Sequence, residues 1–106
     1  MRSFEEREKG FEAEFKRNQE LAFRVTARRN RLFGLWAAEK LGIPADQHET
    51  YARTVVEADF EKPGDGDVIE KVRSDLAAKG IVLTEPQLRT ELDRHAVEAK
   101  RQLMEK

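Results

Sequence analysis

Apolar residues recur along this chain at intervals of three and four, the spacing of one helix face, while the alternating runs that make strands are nearly absent. Only GIVLT, Gly80 to Thr84, has a strand-like composition. From about Gln19 to Leu41, positions Leu21, Val25, Leu32, Leu35 and Trp36 fall near one face and predict the longest helix. Gly42 suits a left-handed cap and Pro44 has no amide to donate into a further turn, so the helix stops there. A second helix reads from about Ala45 to Phe60 with Tyr51, Ala52, Val55 and Val56 inward, and the turn-forming EKPGDGD ends it. A third starts near Asp65 or Asp67, carries Val68, Ile69, Val72 and Leu76, and closes at Gly80. The fourth has the clearest start: Thr84 and Gln87 have capping-box spacing, Pro86 sits in the first turn, and Leu88, Leu92, Ala96, Ala99 and Leu103 follow at helical intervals.

Short connections between amphipathic helices predict an all-α fold, an antiparallel four-helix bundle, over residues 19–106. Leu32, Trp36, Val55, Val72, Leu92 and Ala96 are expected in one core, with Gly34 as the small residue that lets a neighbouring helix approach. Residues 1–18 read differently. Phe4, Phe11 and Phe15 are the only large apolar groups there, set among many charges, and Gly10 costs a helix about 1 kcal/mol relative to alanine. Such a segment is a mobile or marginally helical N-terminal arm, able to gain helix when a groove accepts its phenylalanines.

Composition narrows the function. The 106 residues are 39% charged and 8% aromatic, enough for one small core. Twenty basic and 21 acidic residues give a net charge of −1, so no uniform field recommends nucleic acid or an anionic membrane as partner. The distribution is uneven: residues 21–40 carry five basic groups and one acidic, and residues 41–70 carry two and eight. The second helix is therefore acidic enough to face the first. There is no cysteine, which removes disulfides and thiol chemistry. No apolar run approaches the roughly 18 residues of a membrane span, and no apolar signal core is present, so a cytoplasmic protein without direct membrane insertion is expected.

The candidate chemistry lies in ARRNRLFGLWAAEKLG, Ala27 to Gly42. Arg24, Arg28 and Arg31 stand at i, i+4 and i+7, with Arg29 and Asn30 beside them. Two readings stay open. The stripe is either a solvated face paired with the acidic second helix, or a phosphate-binding face in which guanidinium groups grip oxygens bidentately and Asn30 adds an amide. No Gly-rich phosphate loop accompanies it, and no nucleophile and base pair stands out, so no enzyme is expected. His48 reads as exposed and His95 as a core-edge residue, without metal-ligand spacing. The carboxylates Glu57, Asp59, Glu61, Asp65 and Asp67 lack the order of a calcium loop and read as a solvated acidic end.

Four blocks, SFEEREKGFEAEF, ARRNRLFGLWAAEKLG, YARTVVEADFEKPGDGDVIEKVRSDL and ELDRHAVEAK, agree in order and spacing with the zeta subunit family. The chain thus resembles the ATPase inhibitor subunit of the alphaproteobacterial F-type ATP synthase over nearly its whole length. The resemblance implies an arm that becomes helical at an interface of the alpha and beta subunits, beside the central stalk, and blocks rotation in the hydrolytic direction. Phe4, Arg7, Phe11 and Phe15 are then the partner-binding residues. It also implies ADP or ATP as a regulatory ligand on the bundle, which favours the phosphate-binding reading of Arg24, Arg28, Arg29 and Asn30; no other cofactor and no metal are expected. The protein would lie at the inner membrane only through the synthase. Gly10, Lys16 and Arg17 depart from the family's arm in helix tendency and charge. The rival reading is a helical interaction module whose arm docks another protein and whose nucleotide is a sensed ligand.

Overall fold

The computed structural model describes residues 4–60, 64 and 66–104, with side chains from Arg17 onward. Four helices carry the fold: α1 (Phe4–Lys40), α2 (His48–Ala58), α3 (Gly66–Ala78) and α4 (Glu85–Met104). No strand occurs among the described residues, and GIVLT forms the turn at Gly80 and the irregular link from α3 to α4. The fold is the all-α bundle that the apolar spacing predicts.

Three local signals set the helix ends as expected. At the end of α1, Gly42 takes a φ of 72° while its amide donates to the Glu39 carbonyl and the Ile43 amide reaches back to Ala38. This is a Schellman closure, which a β-carbon would strain. Gly80, at φ 80°, closes α3 in the same way, with the Ile81 amide donating to Leu76. At α4 the capping box is formed in both directions: the Thr84 amide donates to Gln87 Oε1 at 2.8 Å, and the Gln87 amide donates to Thr84 Oγ1 at 3.2 Å.

Two boundaries differ from expectation. The segment after Pro44 first makes a tight 3-10 turn, Ala45–Gln47, and α2 begins only at His48. His48 is half-buried rather than exposed, its Nε2 lying 2.6 Å from the Ile43 carbonyl across that turn. At the other end, α1 runs 37 residues and begins at Phe4, well before Gln19. Its first half is rich in Glu, Lys and Arg, whose summed propensity carries the helix across Gly10. Arg17, Asn18, Gln19 and Glu20 are all exposed.

The core lies where α1 packs between α2 and α4, with α3 closing the far side. Phe33, Val55, Val68, Val72, Leu76, Leu88 and Leu92 are fully buried. Val55, Val72 and Leu92 were expected there; Leu32, Trp36 and Ala96 are only half-buried. Trp36 packs on the core's edge, stacked on Phe33 at 5.6 Å between centroids, with the Lys40 ammonium 5.3 Å over its ring. Gly34 performs the expected role. A β-carbon there would lie 2.7 Å from the backbone Cα of Ala52, so the α1 and α2 backbones approach closely at this point.

His95 on α4 sits against the same edge, its ring 6.2 Å from Phe33 and 6.3 Å from Trp36. Burial lowers its pKa below the ordinary 6.5, against the pull of Glu91 and with the push of Arg94. Its Nε2 has no hydrogen-bond partner among the described residues and stands 3.8 Å from Glu91.

Two predictions follow from this packing. Gly34→Ala should lower the urea midpoint, because an overpacking penalty of about 1 to 3 kcal/mol outweighs the roughly 1 kcal/mol that alanine gains in a helix. A raised midpoint would mean that the two helices stand farther apart. For His95, the unfolded chain takes up a proton near pH 6.5 while the folded chain resists until a lower pH. The stability that His95 contributes is therefore complete above 6.5 and lost as pH falls through the folded value. Tm should drop between about pH 7.5 and about pH 5.5, and His95→Gln should flatten that slope; a variant with the wild-type slope would move the cause to other groups.

Candidate functional site

The arginine stripe of α1 does not act as one surface. Arg31 reaches α2, where its Nε donates to Glu49 Oε2 at 3.0 Å and a second nitrogen bonds the other carboxylate oxygen. The guanidinium holds the Glu49 carboxyl below its ordinary pKa. Arg28 turns instead to α4, donating from Nη1 to Gln102 Oε1 at 3.1 Å. Pairing with the acidic second helix is thus realised for Arg31, whereas Arg28 has no carboxylate partner among the described residues.

Arg29 and Asn30 form a separate unit. Arg29 donates from Nε and Nη2 to Asn30 Oδ1, at 3.1 and 2.9 Å. Asn30 is 1% exposed, the one buried polar side chain among the described residues, and its Nδ2 has no partner there. Asn30 faces inward with Phe33 and Gly34, one turn along the same stripe.

An open groove of about 520 Å³ lies along the bundle at this level. Phe23, Ala27, Val56 and Leu103 supply its apolar lining, and Arg24, Arg28 and Arg31 its charge. The chain thereby brings together three helices: α1 gives the cations, α2 gives Val56, and α4 gives Leu103 and the amide that holds Arg28. Gln102 is itself fixed on Glu98, whose carboxyl Arg101 and Gln102 push down to about 2. Phe23, 61% exposed, is the groove residue that spacing missed. The available signal was an aromatic off the apolar face, directly before the first arginine of the stripe.

A second polar cluster joins α2 to α3 on the opposite side. The Tyr51 hydroxyl donates to Asp75 Oδ2 at 2.7 Å, Lys71 Nζ bonds the same oxygen at 3.0 Å, and the ammonium lies 5.4 Å over the Tyr51 ring. Burial first, then Asp75, raises the Tyr51 pKa well above its ordinary range, so the hydroxyl stays protonated and structural. Of the acidic group after α2, Glu61 and Asp65 lie outside the described residues; no cluster of three potential metal ligands occurs among the described ones.

The side chains of Phe4, Arg7, Phe11 and Phe15 also lie outside the described residues. Their backbone belongs to α1, and spacings of three, four and four put the four positions on one stripe of that helix. No described helix is long and apolar enough to cross a membrane.

Comparison with known proteins adds two findings. A family profile described as ATPase inhibitor subunit zeta matches residues 1–102. A solved solution NMR structure is similar at 45% identity, covering 77% of this chain and 93% of that chain with a TM-score of 0.68. No curated protein matches.

Arg24, Arg28, Arg29 and Asn30 should separate into two classes under substitution. Asn30→Ala removes a buried group and the anchor of Arg29, at a cost of about 1 to 2 kcal/mol, whereas Arg24→Ala on the exposed groove should stay within about 0.5 kcal/mol. Urea unfolding of both variants measures the difference, and equal midpoints would show that burial does not distinguish the two positions.

Proposed function

The chain belongs to the ATPase inhibitor subunit zeta family, and on that premise we propose that it inhibits hydrolysis by inserting its arm, residues 1–18, into the catalytic head of the F-type ATP synthase. The observation that carries this reading is the continuity of α1. One helix runs from Phe4 to Lys40, so a bundle that buries its second half presents its first half as a rod, about 55 Å from end to end in total. A rod anchored in this way transmits force without unfolding at a joint. Inserted between an alpha and a beta subunit beside the central stalk, it obstructs the closure that hydrolytic rotation requires. Phe4, Arg7, Phe11 and Phe15 share one stripe and are the residues assigned to that contact.

The groove is the proposed place for ADP or ATP. Arg24 and Arg28 take the phosphates, the apolar lining takes the base, and Arg29 with Asn30 shapes the helix behind them. Phosphate binding at Arg28 replaces its bond to Gln102, so the ligand exchanges a neutral partner for an anionic one. With no Gly-rich cradle, the phosphates remain partly in water and their attraction is screened by salt.

Hydrolysis by the isolated catalytic head, measured with and without the chain, tests the inhibitory reading. Deleting residues 1–18 should abolish inhibition and leave the thermal midpoint within a few degrees. Full inhibition by the shortened chain would remove the arm from the mechanism. For the groove, amide shifts on titration with ADP should show binding weakened at least about tenfold in Arg24→Ala/Arg28→Ala, with the larger loss at low salt. Wild-type shifts in that variant would put the nucleotide elsewhere.

A further inference from the structure

We propose that Phe23 and Phe60 form a second docking surface, which grips the catalytic head at the mouth of the site that takes the arm. The inference rests on the inhibitory reading above. Phe23 on α1 and Phe60, just past the end of α2, touch each other with ring centroids 6.3 Å apart and planes tilted by 42°. Even so they remain 61% and 66% exposed, the two most exposed phenylalanines among the described side chains. A large aromatic that stays in water contributes little to the fold and much to an interface that covers it.

Their position says what covers them. α1 is continuous through this level, and residue 18, the last of the arm, is five residues from Phe23, or about 7.5 Å along the axis. A partner that encloses the helix as far as residue 18 has walls within one side-chain length of Phe23 and its neighbour Phe60. The two rings thus meet the rim of the site without any further movement of the bundle.

Charge defines the chemistry of that rim. Arg24 and Arg28, beside Phe23, have no carboxylate partner among the described residues, while Arg31 is satisfied by Glu49. The partner surface is apolar at its centre and carries carboxylates toward the arginines. The inhibitor then holds at two places on one rigid helix, and each contact raises the local concentration of the other.

Dissociation of fluorescently labelled full-length chain from the catalytic head tests this surface. Phe60→Ser, which leaves the nucleotide groove intact, should speed release, and Phe23→Ser/Phe60→Ser should speed it at least about tenfold. Both should keep the wild-type thermal midpoint, because the rings are exposed. Arg24→Glu should also speed release. Wild-type release rates in the double variant would overturn the second surface while leaving the arm's role standing. A wild-type chain that does not bind the head would overturn both. If the double variant instead converts a dimer to a monomer in sedimentation, the rings pair two copies of this chain and the proposal fails.

Discussion

The close approach of α1 to α2 at Gly34 sets the rest of the molecule. With no β-carbon at 34, Ala52 comes within contact of the α1 backbone, and Val55 packs into the same gap. From that point the two helices run antiparallel along each other, which brings Ala27 and Arg31 to Val56 and, farther on, Phe23 to Phe60. A wider separation at the crossing would move every one of these pairs apart. The groove, which begins within a turn of Gly34 and runs to Phe23, therefore depends on one missing methyl group.

The same stripe explains what was readable beforehand. Turn chemistry was legible, because Thr84 with Gln87, Gly42 and Gly80 each act on backbone within a few residues. The inner face of α1 was less legible. It consists of Asn30, Phe33, Gly34, Ala37, Ala38 and Leu41, a regular helical stripe in which only two members are large and apolar. Leu32, Leu35 and Trp36 draw the eye to the flank, since hydrophobicity is easier to see than smallness. Small residues bury themselves by letting another helix come near, and that depends on a partner that spacing within one helix does not reveal.

The arginines show the complementary difficulty. Their i, i+4, i+7 spacing identifies a charged face, and the acidic block that follows supplies one partner in Glu49. It does not reveal that α4 comes to the other side and takes Arg28 through a neutral amide, nor that Asn30 turns inward. Those outcomes depend on the order of helices around α1, a tertiary fact. Spacing marked the charged face within about two turns, and packing divided it among three arrangements: an ion pair, a buried anchor and an open groove.

That division leaves the charge of the block unevenly spent. Toward its C-terminal end, Arg31 is neutralised by Glu49 and Lys40 rests over Trp36. Toward its N-terminal end, Arg24 and Arg28 form no ion pair among the described residues, although Glu20 stands one turn before Arg24, and they lie next to two exposed aromatic rings. The Arg31–Glu49 ion pair ties α1 to α2, whereas Arg28 is held only by the neutral Gln102 amide and keeps its charge without a carboxylate partner among the described residues. Along this single helix, residues 30–40 pack among their neighbours, while residues 23–28 border the open groove, with Arg28 held by Gln102. Attraction to such a charge weakens with salt while burial of an apolar ring does not, so the arginines and the rings would answer to different conditions even though they occupy adjacent turns.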